Sequence, residues 1–152
     1  MNRRAFQTAI DIALQEKIPG IFIFIDVDDF KTCNDKYGHN IGDLCLVHFA
    51  DSMKRCFPED SLLGRYGGDE FVAYLKTTSY ESVQQYMRYF QETISHLTLS
   101  SGEQLSLTAS AGGAVFPEHG EDFVSLCRNA DASLYDVKQH GKAAFKIKNH
   151  SF

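Results

Sequence analysis

"LLGRYGGDEFVAYL", residues 62 to 75, interrupts a hydrophobic run with two glycines and two acids. The flanks, 61–66 and 70–76, read as two strands. Gly67-Gly68 suits a two-residue hairpin loop, because both positions tolerate positive φ. Such a hairpin reverses the chain in the middle of a sheet and carries Asp69 and Glu70 at its tip. It serves either as a tight turn alone or as a turn that holds the two carboxylates.

Upstream, Ile21-Phe22-Ile23-Phe24-Ile25 is apolar without alternation, the pattern of a strand covered on both faces near the middle of a sheet. It stops abruptly at Asp26-Val27-Asp28-Asp29. Before it, Phe6, Ile10, Ala13 and Leu14 make a helical stripe over 5–17 that ends ahead of Pro19-Gly20. After it, Cys45, Leu46, Phe49, Ala50 and Met53 mark a helix over 40–57, with Gly42 and Asp43 in its first turn. Downstream, Val83, Met87, Phe90 and Ile94 predict another helix, and 105–115 a strand whose far end Gly112-Gly113 should weaken. Phe116 to Gly120 reads as a loop. A last helix over 122–139 has Leu126, Ala130, Leu134 and Val137 on one face and Gly141 at its C-terminal cap. A short strand over 144–147 closes the order α-β-α-β-β-α-β-α-β. The expectation is one α/β (α+β) domain over 1–152, a mostly antiparallel sheet with a central hairpin and flanking helices.

The 152 residues, 43% of them hydrophobic, suffice for one core and not for two ordinary ones. A formal charge of -5 excludes an overall positive field of the kind that grips a nucleic-acid polymer. A phosphate-bearing ligand would need local lysines, a helix N-terminus or a metal. Cys33, Cys45, Cys56 and Cys127 lack CxxC spacing and read as reduced, structural thiols. The N-terminus has no signal-peptide pattern, and no run approaches the roughly 18 apolar residues of a membrane span. A soluble, cytoplasmic domain without membrane contact is expected.

Asp26 at a strand end and Asp69 with Glu70 at the hairpin would converge on one rim if their strands are neighbours. Like charges that close are costly unless a cation lies between them. Hard oxygen ligands suit Mg²⁺ or Mn²⁺ completed by substrate phosphates, and so metal-assisted phosphoryl or nucleotidyl transfer. The same acids also suit helix caps (Asp26, Asp28, Asp29) and a turn (Asp69, Glu70). In "DDFKTCNDKYGHNIGD", residues 28 to 43, Phe30 and Lys31 open a short helical or turn segment whose N–H groups could receive phosphate. Asn34 and Asp43 supply the amide and carboxylate that read a guanine edge, or else a turn residue and an N-cap. His39 reads as a hydrogen-bonded loop histidine. Lys138 and Lys142 suit a helix C-terminus, and facing an acidic metal site they would clamp phosphates.

Arg65-Tyr66-Gly67-Gly68-Asp69-Glu70-Phe71 resembles the signature of the GGDEF-domain diguanylate cyclases. "NRRAF" (2 to 6), "DVDDFKTCNDKYGHNIGD" (26 to 43), "TASAGGAVFP" (108 to 117) and "ADASLYDVKQHGK" (130 to 142) extend the match in the family's order. The resemblance implies a palm-like nucleotidyl cyclase fold that condenses two GTP into cyclic di-GMP with release of pyrophosphate. It implies metal held by Asp26, the Val27 carbonyl, Asp69 and Glu70, with Asp69 also the base for the ribose 3′-hydroxyl. Phe30 and Lys31 would receive phosphates, Asn34 and Asp43 would read guanine, and His39 would lie beside the nucleoside. Lys138 and Lys142 would bind the triphosphate, which Gly67 and Gly68 would let approach. Because each domain holds one GTP, turnover requires a two-fold homodimer.

Several positions depart from the family pattern. Pro58 and Ser61 stand where an Arg-x-x-Asp product-inhibition motif is frequent, so feedback inhibition there is not expected. Lys142 stands where arginine is common, followed by Ala143-Ala144, and keeps the charge without the bidentate fork. Ala111 and Gly113 replace bulkier apolar residues. The usual turn ahead of Asn2-Arg3-Arg4 is missing, which predicts an output domain cut from a longer protein with a sensory or dimerising part. The alternative reading is a GTP-binding regulatory module without turnover. A cyclase with another base preference is a third, against which Asp43 argues.

Overall fold

Strand β1 (Gly20–Val27) is the axis of the fold, and all eight of its residues are buried in the computed structural model, which describes residues 1–151. Its unbroken apolar run is explained by cover on both sides. Ile21, Ile23, Ile25 and Val27 enter one core, while Phe22 and Phe24 enter the other. β3 (Glu70–Leu75) and β6 (Ala109–Phe116) flank it, both antiparallel. With β2 (Leu62–Arg65), β7 (Phe145–Ile147) and β8 (His150–Ser151) the sheet runs β2-β3-β1-β6-β7-β8. Only the β6–β7 pair is parallel among the described residues.

The first core lies under α3 (His39–Cys56) and α4 (Tyr80–Ile94), whose Cys45, Phe49, Met53, Val83, Met87, Phe90 and Ile94 form the expected stripes. The second lies under α1 (Arg3–Gln15) and α5 (Phe123–Gln139), with Phe6, Ile10, Leu126, Ala130 and Leu134 against Phe22 and Tyr74. At the end of α5, Gly141 takes φ 105 and Lys142 N–H bonds the Val137 carbonyl at 3.1 Å. That is the glycine-ended cap read from sequence.

Four expectations change. The strand over 105–115 is split: β5 (Gln104–Leu105) pairs with β4 (Leu97–Thr98) in a separate ribbon, and β6 starts at Ala109. Between them Leu107 N–H turns to the Ile94 carbonyl. Gly112 does not weaken β6. A Cβ there would come within 2.2 Å of Leu134 N and 2.3 Å of the Ala130 oxygen, so the bare backbone lets α5 lie directly on the strand. The segment after β1 is a full helix, α2 (Phe30–Tyr37), turned into α3 by Gly38 at φ 88. Finally, Gly67 and Gly68 do not form a two-residue loop with positive φ. Tyr66 N–H and Gly67 N–H both reach the Glu70 carbonyl, at 2.8 and 3.3 Å, across a wider reversal. No helix among the described residues is long and apolar enough to cross a membrane.

Candidate active site

Sheet register assembles the acidic rim. Asp26 stands opposite Glu70 on β3 and opposite Ser110 on β6, and Val27 N–H donates to the Asp69 carbonyl at 3.1 Å. Asp26 is only 7% exposed, although it carries a carboxylate. Lys138 donates to its Oδ2, while Oδ1 is buried without a partner among the described residues. Burial pushes the Asp26 carboxyl upward; the Lys138 hydrogen bond and charge pull it back, and Asp69 and Asp28 add to the rise. Burial also raises Glu70, helped by Asp26 and Asp69. Burial works against the Lys138 ammonium, yet Asp26, Glu70 and Asp69 outweigh it and hold Lys138 above its ordinary value.

The cap reading of the aspartates fails. Asp29 occupies the N-cap position of α2 in the left-handed region, φ 54, but makes no side-chain cap bond. It accepts instead from Lys142 Nζ at 2.8 Å. Asp28 accepts from Thr108 Oγ1 at 2.8 Å, Ser110 Oγ at 2.6 Å and Ala143 N–H at 3.1 Å. This carboxylate fastens the end of β1 to β6 and to the loop that carries Lys142. Asp26, Val27, Phe30, Lys31, Asp69, Lys138 and Lys142 line one cleft of about 280 Å³.

Asn34 and Asp43, the expected base-reading pair, lie farther along. Asn34 sits within α2, with its Oδ1 buried and unpartnered among the described residues. A Cβ on Gly42 would fall 1.7 Å from that oxygen, so the Asn34 amide fills the space that the bare glycine leaves on α3. Asp43 is exposed on α3 and lines a larger groove of about 510 Å³ with Leu46, Leu63, Arg65 and Phe71. The N-cap of α3 is Gly38, not Asp43, and His39 is the exposed first residue of that helix rather than a loop histidine.

Gly67 and Gly68 are exposed, and neither takes the left-handed conformation. A Cβ on Gly68 would meet nothing within 4 Å; on Gly67 it would meet only the Glu70 side chain, at 3.6 Å or more. Neither backbone conformation nor packing within the chain therefore demands glycine, and the bare backbone is left open on its outer side. The Asp26, Asp69 and Glu70 side chains are not drawn into a closed set, and no group of three metal-ligating side chains is close enough among the described residues to hold an ion.

A family model described as "Diguanylate cyclase, GGDEF domain" matches residues 1–144. The chain belongs to the GGDEF-domain family. It is 35% identical, over 96% of its length, to the Escherichia coli cyclic di-GMP phosphodiesterase PdeR. It is 30% identical, over 95% of its length, to the Pseudomonas aeruginosa bifunctional diguanylate cyclase/cyclic di-GMP phosphodiesterase MucR. The chain spans 22% of each of these two relatives. The crystal structure of the GGDEF domain of PA1120 (YfiN or TpbB) from Pseudomonas aeruginosa superposes with a TM-score of 0.91 at 28% identity, covering 97% of this chain and 96% of that one.

Two residues of this GGDEF domain escaped the sequence reading. One is Asp28, for which the sequence offers only a cap as an alternative. The other is Arg65, whose Nε donates to the Gly67 and Gly68 carbonyls at 3.1 and 3.2 Å and whose Nη2 donates to Gly68 at 2.7 Å. The one sequence signal for Asp28 is Ser110, a hydroxyl within an apolar strand, which the structure buries fully against that carboxylate.

Proposed function

We propose that this GGDEF domain is a half-site of a diguanylate cyclase that joins two GTP into cyclic di-GMP and releases pyrophosphate. The observation that carries the reading is the buried Asp26 carboxylate, with one oxygen unpartnered, at a rim it shares with Asp69, Glu70 and two lysines. Asp26, the Val27 carbonyl, Asp69 and Glu70 would supply hard oxygen donors of the kind that suits Mg²⁺ or Mn²⁺, drawn together only when the ion is bound. When bound, the cation supplies Lewis-acid polarisation of the phosphate under attack.

The chain's own residues do the rest. Lys138 and Lys142 exchange their carboxylate partners for phosphate oxygens. The α2 N-terminus, whose N-cap side chain makes no cap bond, offers the Phe30 and Lys31 N–H groups to the same phosphates. Asn34 leaves its unpartnered position to meet the guanine edge with Asp43, and His39 lies beside the nucleoside. Gly67 and Gly68 admit the triphosphate to the backbone, and Arg65 keeps that backbone in place. Asp69 takes the ribose 3′-hydroxyl proton as the oxygen attacks the α-phosphorus of the opposing GTP.

In-line attack on a second nucleotide needs two such domains facing across a two-fold axis, so a homodimer is part of the proposal. We place the dimerising or sensory portion in a longer protein, membrane-anchored or not, of which 1–152 is the output domain, and this domain in the cytoplasm. A GTP-binding module without turnover is the weaker reading, because every acidic and basic group the chemistry needs is retained. Competition between GTP and ATP for the chain, with cyclic di-GMP assayed in the presence of Mg²⁺, tests the reading: GTP preference with product supports it, and equal binding without product contradicts it.

A further inference from the structure

Cys33 on α2 and Cys45 on α3 bring their sulfurs to 3.7 Å, and neither belongs to the site described above. Cys45 is buried, whereas Cys33 is half-buried and lines a second cleft of about 320 Å³, walled also by Tyr37, Leu105 and Leu107. Asp28, Asp29 and Thr32 border both this cleft and the phosphate cleft. Burial, with the Cys33 thiol beside it, pushes Cys45 up to about 12. The inner sulfur is therefore a neutral thiol, and the sulfur a solute reaches first is Cys33.

We propose that Cys33 and Cys45 are a reversible thiol modification site, cross-linked by exchange with a low-molecular-weight disulfide that enters this cleft. The Cys33 thiolate bonds to one sulfur of the incoming disulfide, whose S–S bond breaks; the departing thiolate takes up a proton. The Cys45 sulfur then bonds to the Cys33 sulfur as its proton passes to the displaced thiolate, which leaves as the second small thiol. The cysteine pair is oxidised and the small disulfide is reduced to two thiols. Closing from 3.7 Å to a bond of about 2.0 Å draws α2 toward α3.

The consequence rests on the proposed guanine reading by Asn34 and Asp43. Cys33 precedes Asn34, and Cys45 follows Asp43 by two positions. The two helices already meet where Asn34 Oδ1 occupies the space of a missing Gly42 Cβ. To reach a base, that amide must swing out of this contact. A cross-link one residue away tightens the contact and pins the amide, so the oxidised chain binds GTP more weakly.

The full chain is treated with glutathione disulfide, its intact mass and disulfide-linked peptides are determined, and GTP binding is measured on the same samples before and after dithiothreitol. The expected result is a loss of two hydrogens, a Cys33–Cys45 peptide and GTP affinity lowered by about tenfold, within the usual range of coupling between two sites, with recovery on reduction. Cys33→Ser and Cys45→Ser should each abolish the cross-link and keep GTP affinity constant under oxidant. A stable glutathione adduct without a cross-link, no reaction, or a cross-link to Cys56 or Cys127 overturns the site. A cross-link with unchanged GTP affinity overturns the coupling. If the reduced chain binds no GTP, the guanine reading and the coupling fall together, while the wild-type mass alone still decides the thiol site, also where a Cys45 variant fails to fold.

Discussion

Lys138, in the last turn of α5, donates its ammonium to Asp26 Oδ2 at the end of β1, while the other oxygen of that carboxylate is buried and unpartnered among the described residues. The pair leaves a buried acid half satisfied, next to Asp69 and Glu70. Such a group costs stability in the free chain, and in the proposed function it is one of the oxygens that would hold a cation.

Asp26→Asn should therefore raise the thermal midpoint of the nucleotide-free chain at pH 7. The Asp26 pKa is raised on folding, so its contribution favours the fold most below the unfolded value near 3.8 and is lost as pH rises through the folded value. The advantage of the variant should be largest at neutral pH and shrink toward pH 4. Thermal melts of both proteins across that range measure it.

Asp28→Ala removes an acceptor shared by Thr108, Ser110 and the Ala143 N–H. The loss should cost about 2 kcal/mol in urea unfolding, the order expected for hydrogen bonds to a charged group. Because the Lys142 loop loses its fastening, KM for GTP should rise more than kcat falls.

Gly68→Ala and Gly112→Ala should separate function from packing. At Gly68 an added methyl meets nothing and φ is outside the left-handed region, so stability should stay within about 1 kcal/mol of wild type while turnover falls by about tenfold or more through misplacement of the nucleotide. At Gly112 the methyl would strike the α5 backbone, at a cost of about 3 kcal/mol. Urea unfolding alongside initial rates distinguishes the two.

Asp43→Asn should reduce the preference for GTP over ATP by about tenfold or more, since the guanine N1-H and exocyclic amine lose a charged acceptor. Competition binding with the two nucleotides reads this directly.

The rim was legible in the sequence because its elements announce themselves locally. An apolar run that ends in Asp26, and a hairpin with Asp69 and Glu70 at its tip, point to neighbouring strands without knowledge of the rest of the fold. The failures share the opposite property. For Asp28 the sequence suggests nothing beyond a cap, because its partners are 80, 82 and 115 positions away. Gly112 looked like a weak point because the α5 backbone it accommodates comes much later in the chain. The 105–115 strand split because Leu107 bonds to Ile94, a contact that periodicity does not encode. Gly67-Gly68 matched a two-residue turn in composition, while the Arg65 guanidinium on both glycine carbonyls accompanies a wider loop.

Product formation from GTP and Mg²⁺ by the chain held as a two-fold dimer, beside its Asp69→Asn variant, measures whether this rim makes cyclic di-GMP. The account predicts cyclic di-GMP and pyrophosphate from the wild type, and a rate reduced by at least about a hundredfold in a variant that still folds. Equal rates from the two proteins, or no product from a wild-type dimer that binds GTP, would contradict it.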